Sequence, residues 1–133
     1  MRLEVPFVVD RFRVEAFAHA SGDAARHHLD EDFAASSPLQ GAVAHGVLLL
    51  GFVSAVSSML LERVTAHYVT TGYDGVRFRR PVLLGDHVTV RYEVVAADPV
   101  RGTSTSDFAI LNGQGQACCI GRHLMKRLAY EPD

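Results

Sequence analysis

The sequence predicts an α+β domain, an antiparallel sheet curled around one long central apolar helix at about residues 45–61. Three observations carry this expectation. Val47, Leu48, Leu49, Leu50, Phe52, Val53, Val56, Met59 and Leu60 leave that helix no broad polar face, so protein must surround it. Everything after it reads as strands separated by tight-turn signals, and consecutive strands joined in that way pair antiparallel. The 133 residues are enough for one domain with a real core, expected over 1–133.

Residues 2–9, RLEVPFVV, read as a short strand, and Pro6 puts it at an edge or a bend. Asp10 suits an N-cap. Phe12, Ala16 and Phe17 then recur at helical spacing as far as Ala20, where Ser21-Gly22 ends the helix. Residues 30–35, DEDFAA, look like one further helical turn, and SSPLQG is a loop. The apolar helix is about 25 Å long if fully helical. After it, residues 68–81 read as one long bent strand with its glycines as bulges, in preference to a hairpin at Asp74-Gly75. In HVTVRYEVV, Val88, Val90, Tyr92 and Val94 alternate with Thr89, Arg91 and Glu93, the pattern of a half-buried strand. Residues 103–112 and 116–128 follow as strands, set off by Asp98-Pro99, Arg101-Gly102 and Asn112-Gly113-Gln114-Gly115.

Composition narrows the function classes. Hydrophobic residues are 48% and charged residues 21%, which is globular and too apolar for disorder. A net charge of -2 offers no bulk attraction for nucleic acid, so none is expected as a partner. Cys118 and Cys119 are neighbours and would point to opposite faces of a strand, which argues against an internal bridge and for a reducing compartment. MRLEVPFVVD lacks the apolar core of a secretory leader. The run from Gly46 to Leu61 is short and serine-rich for a membrane span, so a cytoplasmic protein without a membrane partner is expected.

The chemistry-bearing residues gather in FAHASGDAARHHLDEDF and VAHGVL. Asp23 follows a helix end, and His28 lies five residues on. A carboxylate and an imidazole within reach of one water make a general acid/base pair. The same Ser-Gly-Asp is equally an ordinary helix cap and turn. His45-Gly46 opens the apolar helix, whose first N–H groups and positive dipole end suit a developing oxyanion. It is equally the plain start of a buried helix. His19, Asp23 and His27 fall at i, i+4 and i+8, but Gly22 breaks that helix and no zinc spacing is present, so no metal is expected. His67, His87 and His123 read as structural. Arg77, Arg79, Arg80 and Arg91 form a basic band that is either a solvated sheet face or a landing site for a phosphate-bearing arm or an acidic carrier. Cys118, Cys119 and Met125 read as core.

Together, FAHASGDAARHHLDEDFA, VAHGVL and VRFRRPVLLGDHVTVRYEV resemble the MaoC-like hydratase/dehydratase family, of the R-specific enoyl-CoA hydratase type, across about residues 9–95. The resemblance implies a hotdog fold and reversible addition of water to a 2-enoyl thioester of CoA or acyl carrier protein, giving the (R)-3-hydroxyacyl thioester. Asp23 and His28 match the residues that activate and place the water. The backbone N–H of Gly46 matches the oxyanion donor. Ser21, His45, Val47, Arg77 and Arg79 are expected to contact the substrate, with phosphopantetheine in a tunnel and the acyl chain along the buried helix. No cofactor is implied. The family's Asn-Pro is Ala25-Arg26 here, which leaves the loop that carries the pair without two of its usual restraints. A hotdog thioesterase is disfavoured by the lack of Asp or Glu from Gly46 to Leu61, and a non-catalytic subunit or acyl-thioester-binding protein stays open. One sheet around one helix leaves an open edge, so a homodimer or a heterodimer with a related chain is expected.

Overall fold

The computed structural model describes residues 1–129, so residues 130–133 of the expected domain lie outside the described residues. Nine elements follow one another: β1 (Arg2–Val8), α1 (Arg11–Ser21), α2 (Arg26–Leu29), α3 (Glu31–Ala35), α4 (Gly46–Leu61), β2 (Tyr68–Phe78), β3 (His87–Asp98), β4 (Thr103–Leu111) and β5 (Ala117–Arg127). All strand pairs are antiparallel, in the order β1-β3-β4-β5-β2. The sheet closes around α4 as the apolar pattern requires. Leu48, Leu49, Phe52, Val53, Val56 and Leu60 of the helix are buried with Val88, Val90 and Tyr92 of β3, Phe108 and Ile110 of β4, and Cys118 and Cys119 of β5. Each such side chain taken fully out of water contributes about 1.5–3 kcal/mol. Phe7 on β1 stacks on Phe52 with ring centres 4.5 Å apart.

Local signals explain most boundaries. The Asp10 side chain accepts the Arg13 N–H at 2.8 Å, and Gly22 closes α1 with φ 83. Pro6 sits in β1, which is an edge strand where a missing N–H costs no ladder bond. β2 is one strand and no hairpin: its register slips between Asp74 and Arg77, where Gly75 has φ 60.

Three expectations need correction. β2 follows α4 but does not neighbour β3; it crosses to the far edge and pairs with β5. The inner face of α1 is Val14, Ala18 and part of Phe17, while Phe12 is 78% exposed, because Val14 and Ala18 at i and i+4 point under the sheet edge. The central helix is not enclosed all round: Val47, Gly51, Ser58 and Met59 are exposed along one flank.

Beneath the sheet lies a buried polar chain. His123 is fully buried, its Nε2 2.9 Å from Thr70 Oγ1 and its Nδ1 2.8 Å from the Tyr92 hydroxyl. Burial holds the His123 imidazole below its ordinary pKa, so it is neutral and needs one donor and one acceptor. Tyr92→Phe strands one ring nitrogen in apolar surroundings. We expect it to lower unfolding free energy by about 1–3 kcal/mol in urea titrations, and unchanged stability would show that the chain contributes nothing.

Candidate active site

The turn after α1 holds Asp23 through short-range bonds. The Ser21 hydroxyl donates to the Phe17 carbonyl (2.7 Å) and accepts the Asp23 N–H (3.1 Å), while Asp23 Oδ1 accepts the Ala25 N–H (3.3 Å). The Asp23 side chain is 52% exposed. Ala25 is extended, and α2 then turns His28 inward until it is buried. This short helix stands where the sequence suggested irregular loop.

Residues 42–44, just ahead of α4, tie the site together. The Val43 N–H donates to the His27 carbonyl (3.0 Å), and His28 Nδ1–H donates to the Val43 carbonyl (2.7 Å). On the other side the Ala44 N–H reaches the Val82 carbonyl (2.8 Å), and the Leu84 N–H reaches that of Ala42 (3.0 Å). With Nδ1 donating, the bare Nε2 of His28 faces Asp23 Oδ2 at 3.8 Å. Burial lowers the His28 pKa, helped by His45 and His27 and opposed by the Val43 carbonyl and Asp23. The half-exposed carboxylate does not outweigh burial, so at neutral pH the contact is no ion pair. Two hydrogen-bond acceptors face each other across it. A single water donating to both would hold them about 4–4.5 Å apart, close to the spacing observed.

His45 is the N-cap residue of α4, and its ring turns away from the helix into the protein. Nε2–H donates to the Asp23 backbone carbonyl at 2.9 Å. Its ring lies 3.8 Å from that of His28, nearly parallel, with Phe17 on another side at 4.7 Å. Gly46 begins the helix, where a first-turn N–H has no intrahelical acceptor. A β-carbon there would sit 2.8 Å from the Phe78 ring, so only glycine admits that ring.

A cavity of about 500 Å³ opens beside this corner, its wall including His27, His28, Gly46, Val47, Phe78, Arg79 and Arg80. Of the residues expected at the substrate, Val47 and Arg79 are in the wall. Ser21, His45 and Arg77 are not: the Ser21 hydroxyl is committed to the α1 turn, His45 is buried behind His28, and the Arg77 guanidinium folds onto the Val76 carbonyl. Arg80 and Phe78 were visible in VRFRRPV. Their facing was not, because β2 ends at Phe78 and the alternation that would have turned Arg79 and Arg80 to opposite sides stops there.

Donor atoms of Asp23, His28 and His45 lie within 4.8 Å of one another. The two imidazoles are stacked with their planes 26° apart, and one nitrogen of each already bonds a carbonyl. A tetrahedral metal needs converging lone pairs, and this arrangement serves hydrogen bonding better.

The family model described as MaoC like domain matches residues 1–111. The chain is 35% identical over 108 residues to the 3-hydroxybutyryl-CoA dehydratase of Methylorubrum extorquens, covering 76% of this chain and 67% of that one. It is 36% identical over 85 residues to an (R)-specific enoyl-CoA hydratase of Rhodospirillum rubrum, covering 64% of this chain and 57% of that one. It therefore spans well under two thirds of the second relative. The solved (R)-hydratase from A. caviae involved in PHA biosynthesis superposes with a TM-score of 0.86 at 27% identity, over 95% of this chain and 93% of that one. The hotdog fold implied by the motifs is the fold observed.

The depressed His28 pKa links the site to stability. As pH falls below the ordinary value of 6.5, the unfolded chain takes up a proton that the native chain refuses, so stability drops until the native pKa is reached and then levels. We expect the His28 ring to titrate below 6.5 by NMR; a midpoint above it would mean that Asp23 outweighs burial.

Proposed function

The chain belongs to the MaoC like domain family, and from that membership we propose that it adds water to, or removes it from, the double bond of a 2-enoyl thioester. The observation that carries this reading is the facing of two acceptors, His28 Nε2 and Asp23 Oδ2, at 3.8 Å, with His28 and Gly46 both on the wall of one cavity. The water they share gives a proton to the pair as its oxygen bonds C3 of the substrate. The C2–C3 π electrons move toward the thioester carbonyl, and the resulting enolate oxygen meets the Gly46 N–H at the positive end of α4. C2 then takes back a proton, which restores the pair and leaves the 3-hydroxyacyl thioester. Removal of water retraces these steps. Acid/base assistance of this kind gives about 10²–10⁴-fold, and an oxyanion donor about 3 kcal/mol.

The reaction is redox-neutral overall, C3 gaining a bond to oxygen as C2 gains one to hydrogen, so the chemistry calls for no redox cofactor. Arg79 on the cavity wall suits the phosphates of CoA or of a carrier-bound phosphopantetheine arm, while the Arg80 guanidinium beside it donates to the Ala117 carbonyl at 2.7 Å. Free, buried Cys118 and Cys119 fit a reducing compartment, and we assign the protein to the cytoplasm; among the described residues no helix is long and apolar enough to cross a membrane.

The test follows two signals with crotonyl-CoA, a longer 2-enoyl-CoA and a carrier-bound enoyl group. Hydration removes the enoyl absorbance and keeps the thioester, so the first signal should fall with no release of thiol. Thiol release alone would mean a thioesterase, and tight binding without turnover a non-catalytic subunit. Asp23→Asn and His28→Ala should each cut turnover by about 10²–10⁴-fold, with the double variant little worse than either. Small, additive losses would end the shared-water reading.

A second copy, or a related chain, is the proposed cover for the open flank of α4 and the free edge of β2. Val47 is 61% exposed there, Gly51 and Ser58 leave room for close approach, and Val69 and Phe78 are exposed on the edge strand. Sedimentation at micromolar concentration should give a dimer, and a stable monomer would refute the assignment.

A further inference from the structure

We propose that His45 is a positioning residue for Asp23 and His28, holding one by its backbone carbonyl and the other by its ring face. The inference rests on the hydration reading of that pair and replaces the substrate contact that the sequence suggested for His45.

The bond from His45 Nε2–H to the Asp23 carbonyl joins residues 22 apart in the chain. The other bonds that shape this turn are local: Gly22 N–H to Ala18, Ser21 to Phe17, Asp23 N–H to Ser21 and Ala25 N–H to Asp23 Oδ1. Local bonds set the shape of the turn but not where it sits relative to α2 and α4. The His45 bond sets that. The same ring lies 3.8 Å from the His28 ring, whose in-plane direction is already fixed by the Val43 carbonyl. One rigid imidazole at the start of α4 therefore registers both members of the pair against the helix whose first N–H faces the cavity.

The remaining nitrogen fits this role. His45 is 2% exposed, and Nδ1 is buried with no hydrogen-bond partner among the described residues. With Nε2–H given to Asp23, the tautomer that makes this bond leaves Nδ1 as a bare lone pair beside the Phe17 and His28 rings. A buried donor at Nδ1 would be an unpaired N–H, so the surroundings select the tautomer that anchors Asp23. The loop also lacks the family's asparagine and proline at Ala25-Arg26, which gives a long-range anchor more to do.

His45→Phe keeps an aromatic face against His28 and removes the donor. His45→Gln removes the ring and keeps an N–H at the same number of bonds from the backbone. Displacing a catalytic group by about 1 Å can cost about 10²-fold, so His45→Phe should lower kcat by about 10–100-fold with KM changed less than about threefold. His45→Gln, which restores the donor but not the ring face, should recover part of that loss, with kcat between those of His45→Phe and wild type. A Gln variant as slow as the Phe variant, a Phe variant as fast as wild type, or a rise in KM at unchanged kcat would each overturn the proposal.

A second measurement needs neither substrate nor variant. Long-range ¹H–¹⁵N correlation on the wild-type protein should report the Nε2–H tautomer for His45, and the Nδ1–H tautomer would remove the bond on which the role stands. If the wild type hydrates no enoyl thioester while the Nε2–H tautomer is present, the hydration reading fails and the anchor stands. If Asp23→Asn is inactive and His45→Phe is not, the anchor alone fails.

Discussion

Burial of a helix with almost no polar side is the constraint on which the rest of this protein depends. From Gly46 to Leu61 the helix α4 carries no charged residue, and leaving it in water would forfeit most of the stabilisation available to a domain this small. The sheet answers by curling, with β3 supplying Val88, Val90 and Tyr92 to the concave side. A helix packed against the sheet on all but one flank still has ends. Its N-terminal end emerges where residues 42–44 hydrogen-bond both α2 and the segment after β2, so the polar start of the helix and the buried His28 are set side by side. The same requirement that builds the core thus delivers a positive helix end to the cavity.

The two acid/base candidates work from unlike surroundings. His28 is buried and held below its ordinary pKa, so it offers a lone pair at neutral pH. Asp23 stands on an exposed turn, where its carboxyl group keeps contact with water. Bringing both into the interior would put a charge beside a neutral acceptor with no donor between them, an expensive arrangement. Leaving both outside would give water no reason to be ordered. One inside and one at the surface give a bridging water two fixed acceptors and a route in.

Much of this was legible in the sequence because local physics decides it. The apolar run at 46–61, the alternation in HVTVRYEVV, the Asp10 cap and the Gly75 bulge each follow from residues close together in the chain. Pairing of β2 with β5 was not legible, since strands separated by two others share no local signal that selects one neighbour over another. The four-residue helix α2 is too short for a periodic pattern, so nothing local separates His28 from a loop residue. At the candidate site, spacing brought Asp23, His28 and Gly46 to attention but could not say which way side chains turn. Ser21 closes its own turn, Arg77 folds back on its strand, and His45 faces inward from a helix start that otherwise faces the cavity.

The Ala25-Arg26 pair shows how a departure from the family pattern is absorbed. Proline at the first position of a helix fixes φ and gives up an N–H that is unpaired there anyway. Arg26 holds that first position of α2 without a ring, and replaces the missing restraint with contacts: its guanidinium reaches Asp30 Oδ2 at 3.1 Å and lies 4.3 Å from the centre of the Phe33 ring. Asp30 in turn caps α3 through the Phe33 N–H at 3.0 Å. These are exposed interactions, each worth less than a covalent restraint and screened by salt. They steady the outer side of α2 and do nothing for the Asp23 turn. The two restraints lost with asparagine and proline are thus made up unevenly, at α2 by Arg26 and its partners, and at the Asp23 turn by the bond from His45 at the helix start.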